Sequence, residues 1–282
     1  MAGLLDGLGL KNLEGMDLFE DQKKASEKAK APEKAKAPVM QESDFLFDKS
    51  YECPVCYTQI KSRTLKAGKA RLVRTDLDLR AVYENIEPLK YDVILCPHCG
   101  YAALRRYFGG LTQTQSKLIK ENISRVFHVT EEPKAVFSYE YAIYLYKMSL
   151  ANAMVKHAKA SEKAYICLKA GWLCRSAGEN LDKESADYEK KSKELKEQEK
   201  DFLRNAFDGF LKARESENYP MCGMDETTVE YLVAVLAMEF EQYEISSRIV
   251  ANLLVSPSVN SRMKDKARDL KELLITKMRE KK

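Results

Sequence analysis

Residues 53–56 read Cys-Pro-Val-Cys and residues 96–100 read Cys-Pro-His-Cys-Gly, and these two matching stretches decide how the chain folds. Two residues between the cysteines of a pair let both thiolates point at one ion, and two such pairs complete a tetrahedral shell of four sulfurs, which suits zinc. We therefore predict a structural Zn²⁺ ion with four ligands, Cys53, Cys56, Cys96 and Cys99. A closed shell leaves no position for a substrate, so we expect a scaffold with no catalytic residues, and not an enzyme.

The spacing between the two pairs gives the ion a role in folding. Thirty-nine residues separate Cys56 from Cys96, so a shared ion closes a long loop. Zinc binding in small tetrahedral sites contributes roughly 10–16 kcal/mol, and much of this is folding free energy. A module of this size otherwise buries only a thin core, so the ion would be a main source of its stability.

Composition limits the class of protein. The 282 residues are 45% apolar and 32% charged, with a formal net charge of +4, as in a globular protein with solvated helices. The other cysteines, Cys167, Cys174 and Cys222, show no pairing pattern, and an odd total of seven argues against an extracellular disulfide framework. We expect a reducing cytoplasm, no signal peptide and no membrane-spanning segment.

Three regions follow one another along the chain. Residues 1–44 are predicted to be a disordered leader and linker, because residues 23–38 (KKASEKAKAPEKAKAP) hold no bulky apolar side chain. Residues 45–111 form the predicted zinc-ribbon module, with strands expected at 57–62, 70–75 and 91–95 and a helical turn at 79–86. The predicted fold class is therefore α+β: a small four-cysteine β module followed by an all-α array.

Residues 112–282 carry helical patterns throughout. Thr112 and Gln115 have the spacing of a capping box, and further helices are predicted at 162–177, 184–214, 226–241, 243–254 and 261–281. Residues 168–173 (LKAGWL) and 231–243 resemble the first helices of tetratricopeptide repeats, in which small residues let two helices pack closely. We predict a tetratricopeptide-like array, whose grooves suit a protein partner.

Basic residues are concentrated in the cysteine-rich part, which suggests an alternative function. Residues 49–128 contain 14 Lys and Arg against 7 Asp and Glu, with interleaved aromatic residues. Zinc ribbons that bind nucleic acid have this composition, but so do solvated strand edges. The candidate contacts to nucleic acid or another anion are Lys61, Arg63, Lys69, Arg71, Arg74, Arg105 and Arg106.

A second alternative is thiol–disulfide exchange, because Cys96-Pro97-His98-Cys99 matches the motif of thiol oxidoreductases and follows a predicted strand. A second Cys-Pro-x-Cys pair and the helical remainder of the chain favour metal binding instead. His98 is expected to face outward from its turn. Asp76 and Asp78 would share one side of a strand, and we expect them to be structural.

Four motifs, in order and spacing, resemble the bacterial domain-of-unknown-function family 2225. They are Cys-Pro-Val-Cys at 53–56, Arg-Thr-Asp-Leu-Asp-Leu at 74–79, Pro-Leu-Lys-Tyr-Asp-Val at 88–93 and Cys-Pro-His-Cys-Gly-Tyr-Ala at 96–102. The resemblance covers roughly residues 45–215. It implies the same cysteine core with tetratricopeptide-like helices in a bacterial cytoplasm, and it implies no reaction.

Overall fold

A computed structural model describes residues 41–128 and 134–281, and its first part is built of three antiparallel hairpins. Each hairpin pairs two strands that are consecutive in the chain, so every pairing is local. The strands are β1 (Leu46–Glu52), β2 (Gln59–Leu65), β3 (Leu72–Thr75), β4 (Ala81–Tyr83), β5 (Val93–Leu95) and β6 (Ala102–Leu104). The predicted leader and linker lie, up to residue 40, outside the described residues.

Helices make up the rest of the described chain. Side-chain caps begin several of them: Ser138 Oγ accepts from Tyr141 N at 3.1 Å, and Asn260 Oδ1 accepts from Met263 N at 2.9 Å. The first helix continues as a π-helical turn. In order, the helices are α1 (Gln113–Ile119), α2 (Tyr139–Val155), α3 (Ala160–Glu179), α4 (Tyr188–Ser216), α5 (Glu226–Glu239), α6 (Tyr243–Val255) and α7 (Ser261–Glu280).

The predicted fold class is confirmed: antiparallel hairpins carry the cysteines, and an array of helices follows. The capping box is also confirmed, because Thr112 Oγ1 accepts from Gln115 N while Gln115 Oε1 accepts from Thr112 N, both at 3.2 Å. The helical turn predicted at residues 79–86 is wrong. There Asp76 N donates to the Arg80 carbonyl at 2.8 Å, and this tight turn returns the chain into β4.

The hairpins and the first long helices share a hydrophobic core. Phe45, Tyr91 and Leu104 from the hairpin part pack in one cluster with Tyr146 of α2 and Leu173 of α3. A second cluster joins α3 to α7 around the buried α5, in which nine of the fourteen residues are buried. The hairpins therefore pack against α2 and α3.

Two glycines let α3 and α4 approach each other closely. A Cβ on Gly171 of α3 would lie 2.7 Å from Leu203 Cδ2 of α4, and one on Gly209 of α4 would lie 2.8 Å from Ala164 Cβ of α3. These contacts run in opposite directions along the two helices, so α3 and α4 are antiparallel. No helix among the described residues has the length and apolar character needed to span a membrane.

Candidate metal centre

The first cysteine pair lies in the turn that joins β1 to β2. The Cys53 N–H donates to the Thr58 carbonyl at 3.0 Å, and the Tyr57 N–H donates to the Cys53 carbonyl at 2.8 Å. Tyr57 has a positive φ of 61°, which turns the chain back toward β2. This folded turn aims both thiols of the pair to the same side.

The second pair repeats that geometry between β5 and β6. The Cys96 N–H donates to the Tyr101 carbonyl at 2.8 Å, and the Gly100 N–H donates to the Cys96 carbonyl at 3.0 Å. Gly100 has a φ of 73° and occupies the position that Tyr57 has in the first turn. The two stretches that match in sequence thus match in backbone structure, as a pair of metal-binding turns requires.

The two turns bring all four sulfur atoms together. Cys53 Sγ lies 3.6 Å from Cys99 Sγ, Cys56 Sγ lies 3.6 Å from Cys96 Sγ, and all four sulfurs are within 4.8 Å of one another. A disulfide needs about 2.05 Å, whereas a tetrahedral site with metal–sulfur bonds of about 2.3 Å has edges of about 3.8 Å. The seven cysteines are free thiols, and this cluster fits a single tetrahedral ion.

The surroundings of the cluster favour a bound cation. Cys53 and Cys96 are 0% exposed and Cys99 is 6% exposed, and apolar side chains enclose them. Hydrogen bonds from Cys96 and Cys99 lower the pKa of Cys53, and the same bonds raise the pKa of Cys96 and of Cys99. Four thiolates in this apolar shell need a positive ion.

Metal retention is expected to depend on pH. The ligands bind as thiolates, so protons compete with the ion and affinity falls as the pH falls. The stability that the ion contributes is present at neutral pH and is lost on acidification. We predict progressive metal release as the pH falls below neutral, detectable with a chromogenic chelator. Constant metal content down to the pH of acid unfolding would contradict thiolate ligation.

Among the residues of the second turn that are not cysteines, Gly100 is the one that we expect to tolerate substitution least. A Cβ there would lie 2.4 Å from Cγ of Phe127, and the positive φ costs a residue with a side chain about 1–2 kcal/mol. Gly100→Ala should therefore lower the melting temperature and weaken metal binding. Tyr57→Gly is the matched control, because it removes a 68% exposed side chain at the equivalent position and should leave both properties nearly unchanged.

The basic residues predicted to contact nucleic acid lie outside the cysteine cluster, and several form ion pairs with acidic residues. Arg63 is 3.3 Å from Asp48, Arg71 is 3.6 Å from Glu84, and Arg74 is 3.2 Å from Asp76. Lys61 and Lys69 are exposed. The exposed Arg106 donates to the Cys222 carbonyl. Nucleic-acid contact by these residues stays a prediction.

Arg105 differs from the other basic residues because its guanidinium is directed into the protein. Nη1 donates to the Tyr51 hydroxyl and to Thr64 Oγ1 at 2.8 Å. Nη2 donates to the carbonyls of Arg63 at 3.1 Å and Tyr91 at 2.5 Å. The side chain thus ties the β1–β2 hairpin to the segment before β5. His98, as expected, is exposed.

A buried cluster of ion pairs surrounds Asp76 and Asp78, and the sequence indicated only the structural role of these two aspartates. Asp78 is 4% exposed and accepts from Trp172 Nε1 at 2.9 Å and from Arg175 Nη2 at 2.8 Å. Arg80, which is 1% exposed, binds Asp76 Oδ2 at 2.6 Å. The structural role expected for the two aspartates agrees with this arrangement, but their partners on α3 lie about a hundred residues away.

The fold and the site together define an α+β protein with a four-cysteine centre at the turns of two hairpins and a helical array behind it. The chain belongs to a family described as "uncharacterized protein conserved in bacteria" (DUF2225), whose family model matches residues 46–274. The match confirms the resemblance and extends beyond residue 215, into the last helix.

Similarity to individual proteins is limited. An uncharacterized protein of Borreliella burgdorferi (strain B31) is 26% identical over 89 residues, which cover 29% of this chain and 32% of that relative. The chain thus spans about a third of the length of the curated relative that it matches. No solved structure matches the chain.

Proposed function

We propose that the protein is a non-enzymatic, zinc-binding scaffold of the bacterial cytoplasm that binds a protein partner through its helical array. The observation that supports this most is the cluster of four cysteines, which the fold arranges as a complete ligand set. A tetrahedral ion with four protein sulfurs has no open coordination position, and structural zinc sites are of this kind. Zinc is our choice of ion because it prefers tetrahedral thiolate coordination.

The last helix offers a surface for the partner. Its buried stripe, which includes Leu270 and Leu274, faces the neighbouring helices. On one flank of that stripe, Ile275 and Met278 are three positions apart and are 41% and 39% exposed, and Leu273 on the opposite flank is 43% exposed. Large apolar side chains exposed together are a feature of interaction sites.

Two rival functions make different predictions. Binding of nucleic acid through the basic residues would weaken steeply with salt, and the ion pairs of Arg63, Arg71 and Arg74 reduce the charge available for it. A thiol oxidoreductase would contain no bound metal and would lose activity with Cys96→Ser. The burial of Cys53 and Cys96 favours the structural role, because an exchanging thiolate must reach its substrate.

Site-specific crosslinking in the native host tests the partner hypothesis. A photoreactive residue placed at Ile275 should form an adduct with one defined protein, and the same residue at exposed Lys190 on α4 should not. The adduct should disappear when Met278, the neighbour of Ile275 on the same face, is changed to Lys. Identical adduct patterns at positions 275 and 190, or none at either, would contradict an interaction surface on α7.

A further inference from the structure

A cavity of about 430 Å³ lies where the hairpins meet α3. Its volume is in the usual range for small-molecule sites, which form preferentially between structural units. Its lining includes the apolar side chains of Leu79, Leu89 and Trp172. It also includes charged side chains, those of Arg105, Lys169, Asp92 and Glu87. The cavity therefore offers apolar contacts for the body of a ligand and charged groups for its head.

Among these charged groups, Arg105 is a cation that forms no ion pair with a described residue. Lys169 and Asp92 form an ion pair with each other. Arg105 donates its four Nη hydrogen bonds to hydroxyl and carbonyl oxygens, all of them neutral. Among the described residues, no carboxylate forms an ion pair with Arg105, and its Nε has no hydrogen-bond partner. A half-buried guanidinium in this state attracts an anion.

The remaining acid of the cavity, Glu87, is engaged elsewhere. Its carboxylate accepts from the Ser176 hydroxyl at 2.6 Å and from the Leu89 N–H at 3.1 Å. Burial raises the pKa of this carboxyl group.

We propose that this cavity binds a small monocarboxylate with an apolar body. The carboxylate pairs with Arg105, and the body packs against Leu79, Leu89 and Trp172. Monocarboxylates match both kinds of lining group. A neutral apolar molecule leaves the guanidinium without an anion, and a polyanion would bury additional charge beside apolar side chains. This site is separate from the four cysteines and does not depend on the proposed partner.

Trp172 makes the proposal directly testable, because it is the only tryptophan of the chain and it lines the cavity. The zinc-loaded full chain is titrated with octanoate, which does not absorb at the wavelengths used, while tryptophan emission is recorded. Octanoate should change the emission in a saturable way. 1-Octanol should bind at least about tenfold more weakly, because it lacks the carboxylate that pairs with Arg105. Phenylacetate in a separate titration shows whether the cavity prefers an aromatic or an aliphatic body.

Variants assign the response to the cavity. Arg105→Met should weaken octanoate binding at least about tenfold with little effect on 1-octanol. Arg71→Met is the matched control, because this arginine is 83% exposed and lies outside the cavity. Arg105→Met could also disturb the fold, because Arg105 ties two segments together. Ala81→Phe therefore provides a second test, since the larger side chain fills the cavity. It should abolish the emission changes with octanoate and with 1-octanol while the circular dichroism spectrum stays unchanged.

The proposal is overturned if octanoate produces only a linear, non-saturating change in emission. It is equally overturned if 1-octanol binds as tightly as octanoate, or if a folded Ala81→Phe chain keeps the wild-type affinity.

Discussion

Replacing Cys96 with Ser is expected to abolish metal binding and to unfold the hairpin part of the protein. Cys96 is 0% exposed, and its replacement by serine removes one of the four sulfur ligands. Zinc in such sites contributes roughly 10–16 kcal/mol, as much as the whole stability of a typical domain, which is about 5–15 kcal/mol. Residues of the hairpins such as Tyr91 and Leu104 share their core with α2 and α3, so the loss should spread to these helices.

Thermal unfolding followed by circular dichroism, with metal analysis of the same samples, measures this effect. Cys222→Ser is the matched control, because Cys222 is half-buried, lies outside the cluster and makes hydrogen bonds with the Ser161 carbonyl and Tyr107 that a serine hydroxyl can replace. The control should keep its metal and most of its stability. A Cys96→Ser protein with the wild-type melting temperature would show that the four thiols do not support the fold through an ion.

The second large effect is expected from Asp78→Ala. This substitution removes the acceptor of both Trp172 Nε1 and Arg175 Nη2 and leaves part of a buried ion cluster uncompensated. Breaking a buried pair from one side costs about 3–5 kcal/mol. Asp78→Asn should cost less, because its amide oxygen still accepts from Trp172 while the charge is lost.

Urea unfolding of the metal-loaded chain gives the free-energy difference. Asp208→Ala on α4 is the matched control, since this aspartate is exposed and such substitutions change stability by less than about 0.5 kcal/mol. Equal destabilisation by Asp78→Ala and Asp208→Ala would mean that the buried cluster does not hold the β3–β4 hairpin against α3.

Local signals in the sequence predicted local structure well. Thr112 and Gln115 form the expected capping box because a cap depends only on residues three positions apart. The two cysteine turns were equally predictable, since hydrogen bonds within six residues form each of them. Helices α5, α6 and α7 lie within two residues of their predicted bounds for the same reason.

Features that depend on distant residues were not predictable. The strand β1 was missed because its exposed polar residues show no clear alternation, and it forms by pairing with β2. Asp76 and Asp78 were expected on a strand and residues 79–86 in a helical turn, because the partners of the two aspartates on α3 were unknown. Arg105 looked like a surface contact, and only the fold shows that its hydrogen bonds are made within the protein.

Native mass spectrometry of the purified full chain, combined with elemental analysis, tests the central claim most directly. We predict one zinc ion per chain, lost together with the native fold when Cys53, Cys56, Cys96 and Cys99 are all changed to Ser. A folded wild-type chain that carries no metal, or one in which these cysteines are joined as disulfides, would contradict the account.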